Sequence, residues 1–162
     1  MKIGRLQKWF GLTRIAMGWI FFWSFLDKTF GLMATAPSSA WLTGASPTTG
    51  FLENATRGPF ADIFQSMAGS PLVDWLFMLG LLGIGTALIL GIGVRIACWS
   101  GAVMSLLMWL AVLPPDHNPI LDYHVIYALV FALLLVSNSG KYLGFGKQWQ
   151  DTTLVKKYDF LA

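Results

Sequence analysis

Two pairs of residues in this chain are best suited to chemistry: Asp27 with Lys28, near the end of one apolar run, and Asp122 with His124, near the start of another. An imidazole near neutral pH can donate to or accept from a carbonyl or hydroxyl and can pass a proton, while a neighbouring carboxylate or ammonium balances the charge. Tyr127 stands three positions beyond His124, on the same face if the segment is helical. Trp19, Trp23 and Asp27 follow at i, i+4 and i+8, so the two indoles could wall an apolar slot that ends in the polar groups. His117, Asp116 and Asp74 complete the set. A purely structural cap of ion pairs pinning helix ends accounts equally well for Asp74 and Asp116, which an interface can solvate.

The elements that must carry these groups have the length of membrane spans. Hydrophobic residues make up 56% of the 162 and charged residues 12%, far from the soluble balance. Asp74 and Arg95 are separated by 20 residues without an ionisable acid or base, and Arg95 and Asp116 by another 20. At about 1.5 Å per residue each run matches a hydrocarbon core roughly 30 Å thick. The pattern predicts an all-α, polytopic membrane protein, a single domain over 1–162. It is a four-transmembrane-helix bundle with helices at about 12–33, 71–94, 96–113 and 119–138. An outer loop, 34–70, holds a short amphipathic helix with Phe60, Ile63, Phe64 and Met67 on one face, and an inner tail runs over 139–162. Small residues every four positions, at Gly83, Ala87 and Gly91, at Ala97, Gly101 and Ser105, and at Ala128 and Ala132, predict close helix packing.

Charge sets the expected orientation. With both termini inside, the inner side holds nine basic and two acidic side chains, and the outer side two basic and six acidic. That bias follows the positive-inside rule and predicts a multi-pass protein of the cytoplasmic membrane with cytoplasmic N- and C-termini. The basic start, apolar run and Ala34-Thr35-Ala36 imitate a signal peptide, but Asp27-Lys28 and Pro37 argue for a retained first helix. From Arg14 to Asp27 a helix advances only about 20 Å. Even with Arg14 snorkelling inward, Asp27 or Lys28 should lie near or below the outer interface, where a charge needs a partner. Adjacent on a helix, the two cannot simply neutralise each other, and the fourth helix, with Asp122, His124 and Tyr127, is the expected source. The Ser70-Pro71 to Asp74-Trp75 and Asn118-Pro119 to Asp122-Tyr123 segments echo each other as helix starts, as parallel hairpin repeats would. The tail's aromatics and lysines suit an inner headgroup layer.

Several chemistries are excluded. One cysteine, Cys98, rules out an internal disulfide, a thiol relay, or a Cys-ligated zinc or iron–sulfur site made by this chain alone. Haem is not expected, because both histidines lie at the outer edge and no opposed pair sits mid-membrane. No phosphate loop, nucleophile elbow or zinc spacing is present. No nucleic-acid partner is expected.

The run from Gly18 to Trp23, with Asp27-Lys28 and Phe30-Gly31, resembles the first helix of the DoxX superfamily of small four-helix membrane proteins. Ser46-Pro47-Thr48, Gly50-Phe51-Leu52, Gly58-Pro59, Pro114-Pro115, Asn118-Pro119, Asp122 and His124 are similar to the DoxD-like branch, the membrane subunit of thiosulfate:quinone oxidoreductase. Lys28 corresponds to the lysine typical of that first helix; Ser24 stands close after Trp23, where other DoxX-type sequences often carry a histidine. The resemblance implies a subunit of a quinone-linked oxidoreductase complex with a separate protein partner. It would bind a quinone, or a sulfur oxyanion, at an outer polar cap. Within it Lys28 would clamp an anion or carbonyl, His124 would exchange a proton, Asp27 or Asp122 would orient, and Trp19, Trp23, Tyr127 and His117 would contact the ligand. A non-catalytic membrane scaffold that recruits a partner through the outer loop, and a small transporter, are the alternatives.

Overall fold

The computed structural model describes residues 4–115 and 118–161; Asp116 and His117 of the expected site lie outside the described residues. All regular structure among the described residues is helical. In order it comprises α1 (Arg5–Phe30), α2 (Thr49–Asn54), α3 (Ala61–Gln65), α4 (Pro71–Leu90), α5 (Val94–Ala111), α6 (Tyr123–Val136), α7 (Gly146–Gln150) and α8 (Thr153–Lys157), joined by short 3₁₀ turns. Three helices, α1, α4 and α5, are long and apolar enough to cross a membrane. The apolar α6 has 14 residues and so rises about 21 Å.

The shortness of α6 has a local cause. The sequence predicts a start at Pro119, but Asp122 is the N-cap. Its carboxylate accepts from the backbone N–H groups of His124 (3.0 Å) and Val125 (3.3 Å). Asn118 is used one step earlier, accepting from the N–H groups of Ile120 and Leu121, both at 2.9 Å, which folds the preceding segment into a turn. The echo between the two helix starts therefore stops at the sequence, since Asp74 lies inside the first turn of α4 and Asp122 precedes α6.

Packing pairs α1 with α4 and α5 with α6, and α4 with α5 across the Gly91–Gly93 turn. The core between them holds Met17, Phe21, Met78, Leu88, Cys98 and Phe131, with the Phe21 and Phe131 rings edge-on at 5.4 Å. Gly18 and Gly85 set the approach of α1 to α4: a Cβ at Gly18 would stand 2.9 Å from the Ile89 nitrogen, and one at Gly85 would stand 2.6 Å from the Phe22 nitrogen. The expected contact at Gly83 is not made, because burial of Met78, Leu81, Ile84 and Leu88 turns Gly83 outward into open space. Gly101, Ala97 and Ser105 do lie on a packed face, Gly101 beneath the Phe131 ring.

Arg14 departs furthest from expectation. It is fully buried rather than snorkelling inward. Its guanidinium donates to the carbonyls of Leu88 and, at 3.3 Å, Ile89 in the last turn of α4, and to those of Tyr142 (2.9 Å) and Leu143 (3.0 Å) in the tail. A helix C-terminus presents unpaired carbonyls and the negative end of its dipole, so a cation there is doubly matched. The tail continues beyond this clamp: Phe145 N–H donates to Leu90 O at 2.8 Å, and the Trp149 indole to Leu161 O at 2.6 Å.

Candidate functional site

Two acidic residues hold down the segment between α1 and α4. One oxygen of Asp27 accepts from Met33 N–H (2.5 Å) and the other from Thr35 N–H (2.9 Å), so both are occupied by the chain leaving α1. Asp27 thus positions the turn that follows Lys28, and no substrate contact is needed to explain its burial. Asp74 accepts from the hydroxyls of Ser46 (2.8 Å) and Thr48 (2.5 Å). Thr49 donates to Ser46 at 2.7 Å and accepts from Gly69 N–H at 2.9 Å, so a relay of hydroxyls ties both ends of the outer segment to the first turn of α4. Replacing Asp74 by alanine strands two hydroxyls, a loss of about 1–3 kcal/mol. Faster proteolysis between 44 and 69, with the helices intact, is the expected reading.

Tethering fixes Pro47 above Lys28. The ammonium donates to Pro47 O at 3.2 Å and lies 5.8 Å from the centre of the Phe77 ring. Among the described residues no carboxylate comes within ion-pair distance of it. Lys28 closes one end of a cavity of 730 Å³ between α4 and α5, roofed by Phe51 of α2 and by Phe64 and Met67 at α3. The amphipathic helix expected in the outer loop is therefore α3 with its flanks, turning Phe64 and Met67 to the cavity while Ile63 is exposed. Below the roof the walls are almost wholly apolar, with Phe77, Gly80, Ile84 and Met104 among them. Its rim residues Leu76, Trp99 and Val103 are exposed, so the cavity is a groove open on the outward surface of the helices. Such a shape takes an amphiphile whose single polar end meets one cation donor.

His124 and Asp122 form a second unit. Nδ1 of His124 stands 2.5 Å from the Asp122 carboxylate, which holds the ring in one orientation. His124 is only 3% exposed, and its Nε2 has no partner among the described residues. An unpartnered buried ring nitrogen is costly, and one held by a carboxylate on its far side has the arrangement of a base kept for a transient proton. The Tyr123 ring stacks on it at 4.0 Å, and Tyr127 meets Tyr123 at 5.8 Å. Asp122 and Tyr123 line a separate, more polar cavity of 650 Å³ with Asn54, Arg57 and Asn118. Phe51 borders both cavities.

The expected residues are thus brought together in part. His124 and Asp122 touch, and Lys28 stands in the neighbouring cavity with no hydrogen bond to either. Trp19 and Trp23 stack on each other at 5.8 Å, yet they line neither cavity, and Trp19 is 52% exposed. The face of α1 that packs is fixed by Gly11, Arg14, Gly18 and Phe21, which turns Trp19 outward. Tyr127 is half-buried against the core. The groove-lining residues of α4 and α5 lie outside the expected site, although Phe77, Gly80 and Ile84 recur at helical spacing in the sequence. Comparison with family models, with curated proteins and with solved structures finds no match to this chain.

Proposed function

We propose that the chain is the membrane-embedded subunit of a quinone-linked oxidoreductase complex of the thiosulfate:quinone oxidoreductase type, with four membrane crossings and both termini in the cytoplasm. The observation that carries the proposal is the apolar 730 Å³ groove ending at the Lys28 ammonium. A quinone is an apolar ring and tail whose carbonyls accept hydrogen bonds and gain negative charge on reduction. A cation in a low-dielectric groove favours that charge. Asp122 lines the more polar cavity and His124, which lines neither, is held behind it; this pair would relay the two protons that accompany the two electrons delivered by a separate subunit. The likeness of the first helix and of the Ser46-Pro47-Thr48 and Asp122/His124 motifs to DoxD-like proteins supports the same reading.

The test is purification of the full chain in mild detergent, with identification of co-purifying subunits and quinone, followed by photolabelling with an azidoquinone. Labels are expected in peptides of α4 and α5 that line the groove; labels confined to the Trp19–Trp23 face would remove the site. The exposed Ile63 and Leu42 in the outer segment favour a second reading, a scaffold that holds a partner there.

Topology is tested separately. A membrane-impermeant thiol reagent should label a cysteine placed at Glu53 from outside and one at Lys157 only after permeabilisation; native Cys98, 1% exposed, does not interfere. Access to position 53 from the cytoplasm would overturn the orientation.

A further inference from the structure

Along α4 the groove is lined by Val73, Phe77, Gly80 and Ile84, which share one face over a rise of about 16 Å. Lys28 sits at the level of Phe77. Deeper along the groove α5 contributes Met104 and then Ser100 and Trp99. Gly80 is the one lining position of α4 without a side chain, and a glycine inside a helix weakens it. Helix packing does not require it. The single neighbouring atom within 4 Å of a Cβ built there is the terminal methyl of Met104, at 2.5 Å, whereas Gly85 is pressed against the backbone of Phe22. The place of the missing side chain is taken by that methyl, so the groove narrows here against the most adaptable of the apolar side chains, which can move aside.

We infer that Gly80 and Met104 form a passage between a head compartment at Lys28 and a tail compartment at Ile84, Ser100 and Trp99, and that this passage selects quinones carrying a long hydrocarbon chain. The inference rests on the groove being the quinone site. From a ring held at Lys28 the groove continues past Gly80, and methylenes that follow it there leave lipid for packed protein walls. A tail-less quinone fills the head compartment alone.

The experiment uses the full chain in lipid nanodiscs, labelled by an azidoquinone in competition with two probes: a tail-less dimethoxy-methyl benzoquinone and the same ring bearing a decyl chain. Comparison of variants at a fixed quinone-to-lipid ratio cancels partition into lipid. The wild type is expected to be protected better by the decyl probe. Gly80→Leu should weaken the decyl probe at least about tenfold, the equivalent of about two buried methylenes, and leave the tail-less probe within about twofold. Gly83→Leu, three positions on and facing open space outside the groove, should keep the wild-type preference. Met104→Phe fills the passage from α5, should act like Gly80→Leu, and carries the test if that variant fails to assemble. A decyl preference kept in both passage variants, or lost equally in Gly83→Leu, overturns the assignment. If neither probe protects the wild type, the quinone reading itself falls.

Discussion

Replacing Lys28 by methionine is expected to lower quinone-dependent electron transfer by about 10²-fold or more while the protein assembles and melts as before. The two halves of that expectation come from different physics. On the activity side, the proposed role of the ammonium is to stabilise charge that develops only as the quinone is reduced, so its loss would fall on the rate of turnover more than on binding of the neutral ring. On the stability side, the ammonium is partly buried and its contacts are Pro47 O and the Phe77 ring. A methionine of similar length removes a desolvated charge, and the one carbonyl it leaves is a smaller loss than an unpaired ion. A residue kept for structure would behave in the opposite way. His124→Ala is expected to act in the same direction as Lys28→Met, since it removes the proton-exchanging group. On the scaffold reading both variants stay fully competent, and substitutions at Phe60 or Ile63 release the partner instead. Full activity in Lys28→Met and His124→Ala with loss of the complex on substitution of Phe60 or Ile63 would sink the enzyme assignment.

The second large effect is on stability. Arg14→Met is expected to destabilise the protein by about 3 kcal/mol or more, read as a fall in melting temperature and as rapid nicking of the tail. Methionine fills most of the volume but leaves the carbonyls of Leu88, Ile89, Tyr142 and Leu143 facing an apolar interior. Arg14→Lys should recover only part of the loss, because an ammonium is a point donor and cannot span two pairs of carbonyls with a planar fork. A variant with wild-type melting and an uncut tail would show that the clamp contributes little.

The difference between these two residues explains what was legible in the sequence. Helix spans and polar depth follow from local periodicity and spacing, so the α4–α5 hairpin, the amphipathic α3 and the pairing of Asp122 with His124 could be read directly. Partners supplied by distant backbone could not. Arg14 is bonded to carbonyls 74 and more residues away, and Lys28 to a loop carbonyl whose place depends on the Asp74 tether. Asp27 looked free for chemistry because its acceptors' partners are main-chain N–H groups, which every sequence has everywhere. The rotation of a helix about its axis was the other hidden quantity. It sends Trp19 outward, replaces Gly83 by Gly85 at the α1–α4 contact, and turns Gly80 into the groove. Asp122 reads in the sequence as a first-turn residue of a helix starting at Pro119, and the competing turn at Asn118 makes it the cap instead.

The guanidinium at position 14 also imposes an order on biogenesis. Tyr142 leaves the ribosome 128 residues after Arg14, a delay on the order of ten seconds at ordinary elongation rates. From the completion of α4 at Leu90 until then, α1 and α4 are both made, but half of the hydrogen bonds that Arg14 will form have no acceptor. The nascent pair of helices therefore remains adjustable until residues 142 and 143 emerge, and this segment acts as a late latch on α1 and α4 rather than as an appendage to them.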